Sequence, residues 1–88
     1  MAKRITGDRT LSVTTAPQDV EIGYRDFFLV NNSDAVVYFR EKGRDGKAVT
    51  ASTGYALQAR SQMPQAITAE VLSIVGSGAA DVRILFID

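Results

Sequence analysis

Residues 26–39 read DFFLVNNSDAVVYF and form the stretch of the chain that is richest in aromatic residues. Two runs rich in β-branched and aromatic residues, 27–30 and 35–39, flank the polar cluster at 31–34. This pattern predicts a β-hairpin with a loop of about four residues. Five aromatic residues lie in or beside the stretch, so we expect it to supply much of the core. They are Tyr24, Phe27, Phe28, Tyr38 and Phe39.

The rest of the chain carries strand patterns and hardly any helix pattern. Alternation of apolar with polar residues predicts half-buried strands at 10–15 and 19–22. Residues 71–75 and 81–87 flank a short glycine-rich turn and predict a second hairpin. Weaker strand candidates lie at 3–6, 55–57 and 65–70. About seven to eight short strands at this spacing predict an all-β fold, a small antiparallel β-sandwich or jelly-roll-like domain.

Length and composition limit both the organisation and the function. Because 88 residues suffice for one core, we divide the chain into an N-terminal arm or edge strand at 1–9 and a single β-sandwich domain at 10–88. Ten basic residues balance ten acidic ones, which argues against a nucleic-acid partner. No apolar run has the length of a signal peptide or a membrane span, so we expect a soluble protein made in a cytoplasm, with no membrane partner.

Catalytic chemistry finds little support in the residues. The chain has no cysteine and no histidine, which removes the commonest metal ligands and the commonest general base. The turn at 76–78 lacks the third glycine of a dinucleotide-binding loop, since Asp81 stands there, and a plain hairpin turn is favoured. Asp19 and Glu21 lie two residues apart on one strand face, where solvated carboxylates are expected. We predict no catalytic, cofactor-binding or metal-binding residue, and no enzyme activity.

Two runs, 27–30 and 84–87, are apolar on both strand faces. A thin sandwich buries only one face of each strand, so a second apolar face indicates a central position or a contact with another subunit. We therefore predict a homo-oligomer. The predicted interface residues are Phe27, Leu29, Leu85 and Ile87, with Phe28 and Val30 as the alternative pair on the first run.

Residues 40–47, REKGRDGK, form the most charged segment of the chain. The Asp45-Gly46 dipeptide favours a tight turn, so a solvated loop or hairpin tip is the main interpretation. The alternative is a docking loop whose cations pair with acidic patches on a neighbouring protein. The candidate docking residues, including two from the N-terminus, are Lys3, Arg4, Arg40, Lys42, Arg44 and Lys47.

From about residue 10 onward, the order of features resembles the small β-sandwich accessory proteins of tailed-bacteriophage virions. The matching segments are LSVTT at 11–15, FLVNNSDAVVYF at 28–39, TGYAL at 53–57 and EVLSIVGSGAADVRILF at 70–86. The resemblance implies a non-enzymatic decoration or cement protein that assembles as a small oligomer, with a trimer favoured. Such a protein binds the major capsid protein and stabilises the shell. The resemblance also implies synthesis in the host cytoplasm and a final place on the capsid surface. The charged segment at 40–47 departs from the short connection usual in this group.

Proteins that resemble this chain also form part of head fibres and occupy other accessory positions in the virion. The alternative function is therefore a carbohydrate- or receptor-binding module of a head fibre, tail fibre or spike. Such a module needs an exposed aromatic platform, for which Tyr24 and Tyr55 are the candidates. All three tyrosines lie at or next to predicted strands, which favours core or interface packing over sugar binding. A third alternative is an OB-like nucleic-acid binder.

Overall fold

A computed structural model describes residues 4–42, 47–50 and 52–88. Within these ranges the chain forms eight strands and no helix. Apolar residues alternate along most of the strands, which places one face of each strand in the core. The strands are β1 (Ile5–Val13), β2 (Gln18–Glu21), β3 (Asp26–Asn31), β4 (Val37–Glu41), β5 (Tyr55–Leu57), β6 (Ile67–Thr68), β7 (Val71–Gly76) and β8 (Ala80–Ile87).

The strands form two antiparallel sheets of four. The first sheet has the order β1-β8-β3-β6 and the second has the order β2-β7-β4-β5. Successive strands alternate between the sheets, except that β4 and β5 are neighbours in the second sheet. This connectivity, with each four-stranded sheet packed on the other, is that of an eight-stranded jelly roll. The predicted all-β sandwich is therefore confirmed.

Both predicted hairpins are wrong. β3 belongs to the first sheet and β4 to the second, and β7 and β8 are likewise divided between the sheets. A short polar turn between two apolar runs can join neighbouring strands of one sheet, or it can form a corner at which the chain passes from one sheet to the other. Both turns form such corners here. The corners contact each other: the Ser77 N–H donates to the Val36 carbonyl at 2.8 Å, and the Ser77 hydroxyl accepts from the Val36 N–H at 3.0 Å.

β1 is an edge strand that pairs with β8 along nearly its whole length. Beyond the strand, the backbones of Arg4 and Asp88 exchange two hydrogen bonds, of 3.1 and 2.9 Å. The sequence predicts either an arm or an edge strand for the N-terminal segment. Residues 5–9 belong to the same strand as Leu11 and Val13. The boundary that we placed between residues 9 and 10 falls inside β1.

The core lies between the two sheets. Phe27 and Leu29 of β3 and Ile84 of β8 are fully buried on the inner face of the first sheet. Leu72 and Ile74 of β7 are fully buried on the second sheet. Fully burying an aliphatic or aromatic side chain contributes about 1.5–3 kcal/mol, so this shared layer is the main source of stability.

One polar side chain is buried with the core at the end of β3. Asn31 is 1% exposed, and its amide nitrogen lies 2.7, 3.2 and 3.1 Å from the carbonyl oxygens of Ala35, Leu57 and Gln58. Its side-chain oxygen accepts a hydrogen bond of 2.6 Å from the Ser33 hydroxyl. Because Leu57 lies on the second sheet, this amide joins the two sheets across the corner that follows β3.

The outer face of the second sheet is partly covered by the chain itself. Ser73 points away from the core, since its neighbours Leu72 and Ile74 point inward, yet it is fully buried. Val49, from the connection between β4 and β5, is also fully buried, and its N–H donates to the Ser73 hydroxyl at 3.0 Å. Of the predicted charged loop, residues 43–46 lie outside the described residues, but the segment that follows packs onto the sheet.

Gly54 permits this packing, and replacing it with alanine is expected to destabilise the fold. Its φ is +85°, and an added Cβ would lie 2.6 Å from the Phe39 carbonyl oxygen and 2.7 Å from Val49 Cγ2. Left-handed strain and overpacking together give an expected loss of about 3 kcal/mol, measurable by urea denaturation. Gly23→Ala is the matched control, since its φ is +71° but nothing lies within 4 Å of the added Cβ. An equal loss in both variants would refute the packing argument.

Candidate functional site

The outer face of the first sheet carries a continuous row of apolar side chains. Phe28 on β3 is paired in register with Leu85 on β8, and Ile5 on β1 is paired with Ile87. Paired residues in adjacent strands project to the same face, and residues two apart do so as well. These side chains are therefore neighbours on the outer face, and we call the set the outer patch: Ile5, Phe28, Val30, Leu85 and Ile87.

The outer patch remains open to solvent. Phe28, Val30, Leu85 and Ile87 are partly exposed, and Ile5 is one of the most exposed large apolar residues described. A depression of about 320 Å³ opens on this face, lined by Val30, Asn32, Arg83 and Leu85. Charged side chains border the patch, since Asp8 is paired with Leu85 and Arg83 lies 3.6 Å from Asp81. An apolar centre with a charged rim is the usual composition of a protein interface.

The structure corrects the predicted interface on β3. Phe27 and Leu29 are 0% exposed and belong to the core, so they cannot contact a partner. The alternative pair, Phe28 and Val30, faces outward instead. Sequence could not choose between the pairs, because the run is apolar on both faces. The other two predicted interface residues, Leu85 and Ile87, do lie on the outer face.

Ile5 was missed as a member of the outer patch. A single isoleucine in the polar segment ITGDRT gives little signal by itself. Only its register with Ile87 assigns it to this face. Alternation along β1 could have suggested the assignment, but the register shifts between Ile5 and Gly7, so a strict period of two does not reach it.

The predicted docking cations do not share one sheet. Lys3 and Arg44 lie outside the described residues, and Arg4 lies beside the C-terminal strand of the first sheet. Arg40 and Lys42 lie at the end of β4 in the second sheet. Lys42 is paired within the chain, with its Nζ 2.6 Å from Asp19 Oδ2. Lys47 is exposed. Capsid docking by these residues stays a prediction.

Tyr24 projects from the loop between β2 and β3. It is 66% exposed, so of the predicted core or interface packing the core alternative is wrong for this tyrosine, and interface packing stays a prediction. Its φ of 62° lies in the left-handed region, which bulky residues rarely adopt. Its backbone N–H donates to the Ala69 carbonyl, and its hydroxyl donates to Glu70 Oε2 at 2.9 Å. The hydrogen bond to Glu70, with the negative charge of that carboxylate, raises the pKa of Tyr24.

The Tyr24 phenol is therefore expected to ionise above the ordinary tyrosine pKa of about 10, in a spectrophotometric titration. Because its folded-state pKa lies above the unfolded value, the hydrogen bond stabilises the fold below the ordinary pKa and is lost as pH rises through the folded pKa. Glu70→Gln should return the titration towards the ordinary tyrosine value of about 10. An unchanged titration in Glu70→Gln would contradict the assigned cause.

Tyr55 borders a cleft between the free edges of the two sheets. It is 53% exposed, so it too lies outside the core, and the alternative of interface packing stays a prediction. Its ring centroid lies 5.3 Å from that of Phe39, with the planes at 43°. The cleft has a volume of about 260 Å³. We call it the edge cleft, and its lining residues are Phe39, Arg40, Glu41, Tyr55, Met63, Pro64, Gln65 and Ile67.

Within the described part of the chain, no group of three or more histidine, cysteine or acidic residues is placed to hold a metal ion. No helix among the same residues could cross a membrane. Comparison with known proteins gives no match, whether to family models, to curated proteins or to solved structures. The candidate sites are thus the outer patch and the edge cleft, which lie on different parts of the sandwich.

Proposed function

We propose that the protein is a non-enzymatic structural component of a bacteriophage virion. It binds the outer surface of the capsid as a decoration protein, contacts the major capsid protein and stabilises the shell. Two considerations support this proposal. The order of sequence features resembles small virion accessory proteins, and the jelly roll is an architecture that viral capsid domains use. Since a fold alone does not assign a function, the function must be inferred from the residues that the protein exposes.

The outer patch is the observation that carries the proposal. Part of the second sheet's outer face is covered by Val49, whereas the first sheet presents Phe28, Leu85 and their neighbours to solvent. Contiguous exposed apolar surface with a polar border marks interaction sites. A second and third copy of the chain would cover it in a trimer. The remaining charged surface, including Arg40 and Lys47, would then contact the capsid.

Sedimentation and capsid-binding measurements test the proposal. We expect the purified protein to sediment as an oligomer, to co-sediment with expanded capsids of its own virus and to raise their melting temperature. Lys47→Glu should weaken co-sedimentation, and its effect should fall with salt as surface electrostatics do. Arg9→Glu, an exposed charge outside the predicted docking set, is the matched control. A monomer without affinity for capsids would refute the proposal.

The exposure of Tyr55 beside the edge cleft favours a second candidate function, the carbohydrate-binding module. The two functions are compatible, because the outer patch and the edge cleft use different residues. A fibre or head protein can assemble through one surface and bind a glycan through another.

A further inference from the structure

We propose that the edge cleft is a binding site for one neutral sugar residue of a carbohydrate. Tyr55 serves as the stacking platform, and polar side chains at the rim bind the hydroxyl groups. This site is separate from the outer patch, since none of its residues belongs to that patch. Arg40, a predicted docking residue in its lining, is paired with Ser73, so its side chain projects to the outer face of the second sheet and not into the cleft. The proposal follows from the cleft's apolar floor, its exposed aromatic wall, its polar rim and its size.

The floor of the edge cleft is apolar and fixed. β5 is the outermost strand of the second sheet and β6 of the first, so the cleft lies where both sheets end. Phe39 and Met63 in its lining are almost fully buried. Met63 is held to β3, since its N–H donates to the Leu29 carbonyl at 3.0 Å and its sulfur accepts the Leu29 N–H at 3.3 Å. Ligand sites are commonly preformed clefts of this composition.

Tyr55 presents its ring at the mouth of this cleft. Contact with Phe39 limits the orientations that the ring can adopt, so little conformational entropy is lost on binding. The face of a tyrosine ring is apolar, and it matches the C–H face of a pyranose. An aromatic side chain exposed above an apolar floor is a feature that marks binding sites rather than folding requirements.

The rim supplies hydrogen-bonding groups of both kinds. The Glu41 carboxylate accepts, and the Gln65 amide both donates and accepts. Glu41 is held in place because its Oε2 accepts from the Glu70 N–H at 3.3 Å. The Glu41 carboxylate disfavours an anion, and its acceptors with the Gln65 amide suit a ligand rich in hydroxyl groups.

The size of the cleft limits the ligand to one ring. Its volume of about 260 Å³ lies just below the roughly 300–1,000 Å³ of sites for drug-sized ligands. A terminal sugar or one residue of a longer glycan fits this description. A single shallow contact of this kind gives weak affinity per site, and several copies in an oligomer would raise it through multivalency.

Titration of the isotopically labelled full chain with methyl glycosides tests the site. The probes are the methyl glycosides of glucose, galactose, mannose and N-acetylglucosamine, at millimolar concentration. We expect at least one of them to cause saturable NMR shifts in residues 39–41, 55 and 63–67. Tyr55→Ala should weaken that binding about tenfold, the loss expected for one aromatic contact. Tyr24→Ala, an exposed tyrosine outside the cleft, should leave binding unchanged.

The proposal is overturned if none of the four glycosides causes saturable shifts, or if the shifts lie outside the cleft. It is also overturned if the two tyrosine variants lose binding equally. Thermal melting of each variant checks that it is folded. If Tyr55→Ala does not fold, Gln65→Ala replaces it, because Gln65 is an exposed rim residue and its loss should weaken binding without affecting the core. Neither the presence nor the absence of sugar binding changes the expected assembly through the outer patch.

Discussion

Asn31→Ala is expected to lower the free energy of unfolding by about 3–5 kcal/mol. Each buried polar group that loses its partner costs about 1–3 kcal/mol, and the loss of more than one hydrogen bond is combined here with a cavity. The Asn31 amide faces the carbonyl oxygens of Ala35, Leu57 and Gln58. An amide has two N–H groups, so one of them is shared between two carbonyls. Alanine would remove this donor from the Ala35 and Leu57 carbonyls and open a cavity, while the Gln58 carbonyl would still accept from the Ser61 hydroxyl at 2.7 Å. The loss is large for a domain stable by about 5–15 kcal/mol.

Urea denaturation measures this loss, and the adjacent Asn32→Ala is its control. Asn32 is exposed, and its side chain makes only long contacts of 3.4 Å with Asp81 and Arg60. We expect this control to change the free energy of unfolding by less than about 1 kcal/mol. A small effect at Asn31, or equal effects at the two asparagines, would contradict the role assigned to the buried amide.

Asn31→Asp separates hydrogen bonding from packing, because it preserves the shape of the side chain. An ionised carboxylate can only accept, so it cannot bind the three carbonyls that surround it. Burial among acceptors raises the pKa of the introduced carboxyl in the folded state. The variant should therefore be most stable below the unfolded aspartate pKa of about 3.9, and should lose stability as pH rises through the folded pKa.

The sequence predicts the strands of this protein well and their pairing poorly. Alternation and β-branched residues locate β2, β3, β7 and β8 within about two residues of their observed bounds. Such local patterns depend only on which face of a strand is buried. Whether the turn at 32–36 folds back within a sheet or crosses to the other depends on long-range packing. The Val36–Ser77 contact between two corners is an example that no local pattern encodes.

The candidate sites are predictable to the same limited extent. Two apolar faces on β3 indicate a surface contact, but either pair satisfies the pattern until the register with β8 is known. Asn31 lies in a polar cluster typical of turns, and only the approach of Leu57 makes it a buried donor. The edge cleft combines residues from 39–41, 55 and 63–67, which become neighbours because β5 and β6 end the two sheets.

The two faces of β3 give the sharpest test of the interface. Phe28→Ser combined with Val30→Ser removes apolar surface from the outer patch, so we expect the protein to become monomeric. Both side chains already contact solvent, and the monomer should lose only about 1–2 kcal/mol of stability. Analytical ultracentrifugation measures the assembly state. Urea denaturation at low protein concentration measures stability, since subunit association otherwise raises it.

Phe27→Ser combined with Leu29→Ser is the matched control, because it makes similar changes on the opposite face of the same strand. Both residues are fully buried in the core, where truncation of a large apolar side chain costs about 2–5 kcal/mol each. We expect this control to be unfolded. An oligomer that survives Phe28→Ser with Val30→Ser would exclude the outer patch as the interface. A folded Phe27→Ser with Leu29→Ser variant would contradict the assignment of inner and outer faces, on which the proposed assembly depends.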